Sequence, residues 1–282
     1  MVEGQPAEGT ENRVLGGLDP TRGTTFRRTR VRALLGFLIA VPVFLALVVY
    51  LNGGPSAGNG PAFLDRATQN AVFMALASLS VTMPFFIPLC VAVVGGDSIA
   101  GEASLGTLRY LLTRPAGRSR LLAAKGVVLA LFCLVAGMVI VVAGLIAGVA
   151  FFPHGQVVTL SGTTIPFLDG LVRSVAAALV VGVSMWGLAS IALFISTLTD
   201  VPIAAMAITI GVLIVSGILD NVSQVAFLHP WLFTNYWNAF FNLIRDPVRW
   251  HQIWQDLLLQ LGYVAVFSSA AWARMTSRDV LA

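Results

Sequence analysis

Six long stretches of this chain hold almost no charge, and nothing constrains its fold more. They run approximately Ala33–Leu51, Ala71–Val94, Gly126–Ala150, Leu171–Ser196, Pro202–Leu219 and Leu257–Ala273, and the sixth can be extended back to Ile253. Within the first-named bounds, Arg173, near the start of the fourth, is the only charged side chain. About 20 residues at 1.5 Å rise cross the roughly 30 Å of hydrocarbon in a bilayer. Backbone polar groups in lipid must be satisfied within the protein, and β-barrels show short alternating segments instead. Long unbroken runs therefore mean helices. Charged residues make up only 11% of the chain and mean hydropathy is +0.86, whereas a soluble domain needs about 25% charge to cover its surface. A large soluble enzyme is excluded, and so is disorder outside the N-terminus.

Orientation follows from the basic residues. With the N-terminus cytoplasmic, 13 of the 17 lysines and arginines lie in cytoplasmic segments, and only Arg66, Arg173, Arg245 and Arg249 fall outside. An even number of spans returns the C-terminus to the cytoplasm with Arg274 and Arg278. The expected fold is an all-α integral membrane domain with six transmembrane helices and both termini cytoplasmic. Residues 1–21 read as a disordered polar tail and 22–32 as a basic interfacial segment, with the membrane domain over 33–282. The apolar run after the tail is too long and too far in for a cleaved secretory signal, so it is a retained span.

The chemistry the sequence lacks is informative. Lys125, the only lysine, is followed by Gly126 rather than Ser or Thr, so no phosphate-cradling loop of the GxxxxGK[ST] type exists. No HExxH motif occurs, and Cys90 and Cys133 have neither metal-ligand spacing nor a neighbouring His. No catalytic or metal-binding residue is assigned. No Asp, Glu, His or Arg falls near the centre of any run, which disfavours an ion-coupled carrier. A membrane scaffold without transport stays open. Nothing points to nucleic acid. Arginine outnumbers lysine 16 to 1, which fits a GC-rich bacterial genome and hence a bacterial cell membrane.

Two connections stand out. Residues 95–125 form a long cytoplasmic loop in which Ile99, Ala103, Leu105, Leu108, Leu111 and Leu112 recur at roughly helical spacing, until Pro115 and Gly117 break the pattern. An interfacial amphipathic helix with positive-inside anchors would look the same. Residues 220–256 form an external segment with nine aromatics, including Trp231, Trp237, Trp250 and Trp254. Aromatics also collect at membrane interfaces without further role. His229-Pro230 and Asp246-Pro247 mark its turns, and Asp220, Asp246 and Asp256 stand where they could pair with Arg245 and Arg249. Pro84 and Pro88 lie in the second run and predict a kink, read as a possible hinge. Gly144 and Gly148 make a close-packing GxxxG face with no helix assigned to it.

The loop resembles that of ABC-2-type transporter permeases, the membrane subunits of type-2 ABC exporters. The matching residues are Glu102, Gly106-Thr107-Leu108, Leu111-Leu112, Thr113-Arg114-Pro115, Arg118 and Lys125. The resemblance implies a permease without ATPase machinery, working with two copies of a separate subunit that binds ATP and Mg and with a second permease copy or a similar permease. The helix Asp97–Thr113 would be a coupling helix, with Ile99, Glu102, Leu105, Gly106, Thr107, Leu108, Arg109 and Leu112 at the ATPase interface. Arg27, Arg28, Arg30, Arg32, Arg114, Arg118, Arg120 and Lys125 would anchor the membrane surface against lipid headgroups. The 220–256 segment would be a re-entrant helical cap before span six. An amphipathic or lipophilic substrate fits the uncharged spans.

Overall fold

The computed structural model describes residues 20–52, 70–104, 115–153 and 155–277, and the chain divides into two units, Met1–Phe37 and Leu38–Ala282. Every apolar run is helical. The elements in order are α1 (Pro20–Asn52), α2 (Ala71–Thr82), α3 (Phe86–Ser104), α4 (Pro115–Phe151), strands β1 (Val157–Val158) and β2 (Thr164–Ile165), α5 (Phe167–Ser184), α6 (Trp186–Leu198), α7 (Pro202–Asp220) and α8 (Trp250–Ser277). Two 3-10 helices, Ser223–Trp231 and Trp237–Ile244, lie between α7 and α8. Six segments are long and apolar enough to cross a membrane, with α5 and α6 together forming one of them, Phe167–Leu198. α1 contains the basic residues 22–32 without interruption.

The helices outrun the apolar stretches that announce them. α3 continues past Val94 to Ser104 instead of giving way to a separate loop helix, and α4 begins at Pro115 rather than Gly126. Pro115 therefore opens a helix instead of breaking one, because the first N–H groups of a helix have no partner to lose. The same reasoning separates the two prolines of the second span. Pro88 lies in the first turn of α3, whereas Pro84 sits in the turn at 83–85 that divides α2 from α3. A second break falls at Met185, between α5 and α6.

α2 is the innermost element, with every residue from Ala71 to Leu79 buried. The GxxxG face of α4 is spent on it. A methyl group built on Gly148 would lie 2.7 Å from the carbonyl oxygen of Ala71, and one on Gly144 would lie 2.8 Å from Cα of Ala75. Any larger residue would push the two backbones apart.

Between α4 and α5 the chain forms a small antiparallel hairpin, pairing Val157 with Ile165 and Val158 with Thr164. Its turn places Gly162 at φ +86°, a left-handed conformation that suits glycine. Asn70 ties this hairpin to α2. Its side-chain oxygen accepts the N–H of Val72 at 2.9 Å, and its amide donates to the carbonyls of Gly155 and Gln156 at 3.2 and 3.3 Å. Asn70→Ala is expected to cost about 1–3 kcal/mol, since it removes a helix cap and leaves buried groups unpaired. Thermal unfolding in detergent would measure it, and a loss under 0.5 kcal/mol would contradict the assignment.

Connectivity gives the second unit two ends. One carries the hairpin, the 3-10 helices and the start of α8. The other carries the 105–114 connection, the turn from α6 to α7 and the end of α8.

Candidate coupling site and polar core

At the loop end, two residues expected to serve different roles meet. The Lys125 ammonium on α4 forms an ion pair with the Glu102 carboxylate on α3. Their side chains are only 18% and 14% exposed, so the pair is shielded from the screening that makes surface pairs weak. It closes the two helices across the connection. Ile99, expected on an exposed docking face, is 1% exposed and lies within the bundle. The reason is that Asp97–Ser104 forms the last turns of α3 and so follows the packing of that helix. Arg30, Arg32 and Arg120 are exposed. Leu105, Gly106, Thr107, Leu108, Arg109, Leu112 and Arg114 lie outside the described residues, as do the side chains of Arg27, Arg28 and Arg118. Trp272 on α8 donates its indole N–H to Ser119 Oγ on α4 at 2.9 Å, adding a third helix to this end.

Ser196 on α6 enters the backbone of α3. Its hydroxyl accepts the N–H groups of Ile99 at 3.0 Å and Ala100 at 2.9 Å and donates to the Gly96 carbonyl at 2.8 Å. A side chain inserted between a helical N–H and its carbonyl is a recognised cause of bending. The position is telling, since it divides the apolar part of α3 from the part that bears Asp97 and Glu102. Glycine permits the approach. A methyl on Gly95 would lie 2.6 Å from Cβ of Ala192 on α6, and one on Gly96 would lie 2.9 Å from the Met206 backbone nitrogen on α7. α3, α6 and α7 are thus locked at one level.

At the hairpin end, Arg173 explains itself. Its guanidinium donates to the carbonyls of Leu243 and Arg245 at 3.3 and 3.0 Å, anchoring the segment after the second 3-10 helix. The Leu160 N–H donates to the Ile244 carbonyl at 3.1 Å, which fixes the hairpin to the same place. The first 3-10 helix is held through His229, whose Nε2 lies 3.1 Å from the Leu219 carbonyl and 3.2 Å from that of Val222.

Asp256 corrects the sequence reading. It was expected outside the membrane, beside Arg245 and Arg249, yet it lies in α8 at 0% exposure with the Ser184 hydroxyl and the Gln260 amide as its partners. The helix begins at Trp250, so Asp256 is already in its second turn. Gln260, also fully buried, donates at 2.9 Å to both Asp256 and the carbonyl of Phe233. Tyr263 donates its hydroxyl to the Trp231 carbonyl at 2.8 Å. Asp256, Gln260 and Tyr263 stand four and three residues apart, a polar stripe on one helical face. That spacing was readable in the sequence, but a span begun at Leu257 cuts off its first member.

Among the described residues, no group of three His, Cys, Asp or Glu side chains could hold a metal ion. Comparison with curated proteins gives no match. The family model described as ABC-2 family transporter protein matches residues 26–280, which takes in all the described helices except the first residues of α1. With six apolar helices long enough to cross a bilayer, the chain belongs to the ABC-2 family of transporters, as a multi-pass permease subunit of an ABC transporter.

Proposed function

We propose that this chain forms half of the transmembrane pathway of an exporter driven by a separate ATP-binding subunit. Two copies of that subunit, carrying ATP and Mg, pair with two permeases, either two copies of this chain or one with a similar partner. The termini and the 105–114 connection face the cytoplasm, and the hairpin end with its aromatic segment faces outward in a bacterial plasma membrane. The basic N-terminal arginines rest on lipid headgroups. The substrate is amphipathic or lipophilic, in keeping with spans that offer little charge.

The observation that carries this reading is the fastening of the loop end. The connection that would touch the ATPase hangs from α3 and α4, which Glu102 and Lys125 hold together, and α3 is fixed to α6 by Ser196. A push on the connection would therefore move α3, α4 and α6 as one body. This differs from a tilt confined to the second and third spans. Energy transfer of this kind biases two states and needs no chemical step in the permease.

The test is co-expression with a candidate ATP-binding subunit followed by purification. That subunit should accompany the wild-type chain and be lost from a Leu108→Asp variant that still folds. Absence of the subunit from both would defeat the exporter reading. The buried Asp256 is the one observation favouring an ion-coupled carrier instead. Under that reading Asp256→Asn should abolish transport, whereas the exporter should tolerate it.

A further inference from the structure

The two 3-10 helices between α7 and α8 form a flap whose feet and tip are held differently. His229 fixes one foot to the end of α7, and Arg173 and Leu160 fix the other at residues 243–245. The tip, residues 231–237, lies against α8. There the backbone turns, so the Trp231 and Phe233 carbonyls have no helical donor, and in an apolar bundle they must find one. Tyr263 and Gln260 supply it. Thr234 adds a hydroxyl contact to Ser216 on α7 at 3.0 Å. Phe233 packs edge-on against Tyr263, with ring centres 5.7 Å apart.

The donors are themselves aimed. Gln260 spends both amide hydrogens on acceptors, Phe233 and Asp256, and Asp256 is held in turn by Ser184 at the break between α5 and α6. That leaves the Gln260 Oε1 buried with no hydrogen-bond partner. It faces Gly187 so closely that a methyl there would lie 2.1 Å from it. An unsatisfied buried oxygen is a cost borne only while the flap is shut. Water reaching the site on opening would remove it.

Resting on the reading of this chain as a transport pathway, we propose that Gln260 and Tyr263, oriented through Asp256 and Ser184, are the latch that holds this flap shut, and that its release opens this end of the pathway. They are positioning residues.

A cysteine placed at Asn235, on the tip, reports the latch. The chain would be labelled with a soluble maleimide in lipid nanodiscs, with the wild type as blank, since Cys90 and Cys133 are buried. Tyr263→Phe keeps the ring contacts and removes only the hydroxyl, and it should speed labelling about fivefold. Gln260→Leu should speed it about tenfold or more. Ser269→Ala, on the same helix but bonded only to its own Ala265 carbonyl, should label at the parental rate. Unchanged rates in both Tyr263→Phe and Gln260→Leu would overturn the latch. In the complex with the ATP-binding subunit, ATP should raise parental labelling toward the Gln260→Leu rate. If the variants label faster but ATP has no effect, the latch stands as a contact and its role in an ATP-driven opening falls.

Discussion

Ser196→Ala is expected to lower the unfolding free energy by about 2–4 kcal/mol, far more than loss of an ordinary buried serine. The hydroxyl is the hydrogen-bond partner of two N–H groups and one carbonyl of α3, and an unpaired buried backbone group costs on the order of 1–3 kcal/mol. The upper end applies if the α3 backbone keeps its place, and the lower end if the Ala100 N–H pairs instead with the Gly96 carbonyl. Ser190 on the same helix is the control. It too is buried, but its hydroxyl only adds a bond to the Gly187 carbonyl at 2.7 Å, so Ser190→Ala should change stability by less than about 1 kcal/mol. Thermal unfolding of both variants in detergent compares them directly. Equal effects would mean that the α3 backbone does not depend on Ser196. A functional consequence accompanies the structural one under the proposed coupling. ATP turnover by the partner should persist in the Ser196 variant while export declines, because the loop end would move without taking α6 along.

The second large effect concerns Glu102 and Lys125. Glu102→Lys places two ammonium groups together in a shielded site and should destabilise the chain by about 3–5 kcal/mol, the range found when a buried pair loses a partner. The swap Glu102→Lys with Lys125→Glu restores opposite charges and should recover most of that loss. Double-mutant unfolding curves measure the coupling between the positions. The swap also separates two roles for Glu102. If the restored variant again retains the ATP-binding subunit, the carboxylate serves the permease internally. If it folds but no longer retains the subunit, the partner reads the sign of charge at position 102. Glu102→Lys alone cannot make this distinction, since it disturbs α3 and α4 in either case.

Much of the architecture was legible because lipid leaves the backbone few choices. The six spans fall where runs of about 17 residues or more carry almost no charge. Their ends were less legible. Apolarity marks what can sit in hydrocarbon, whereas a helix stops only where its backbone does, so α3 and α4 continue well into polar sequence. The hairpin at 157–165 carries a readable signal: Ser161-Gly162 flanked by Val157-Val158 and Thr163-Thr164-Ile165, β-branched residues around a turn dipeptide. Ser196 had none. A serine in an apolar run looks the same whether it bonds its own helix or enters another, and only the packing of Gly95 and Gly96 against α6 and α7 decides. Asp256 was visible but misplaced, because counting charge inside a run excludes the carboxylate at its edge.

The two helix breaks described above fall at nearly the same height. Val72 of α2 lies beside Gly170 of α5, and Gly95 of α3 lies beside Ala192 of α6. These spans therefore run side by side in one direction with an almost constant stagger, and the turn at 83–85 stands within about one helical turn of Met185. Two neighbouring columns of the bundle are jointed on the same floor. The domain is in that sense two-storeyed: α3 and α6 make up the lower storey, pinned to each other by Ser196, and α2 and α5 the upper one, pressed against α4. Both columns depart from regular helix on that floor, at 83–85 and at Met185, so a change in the angle between the storeys falls there, while α4 and α8 run unbroken past it.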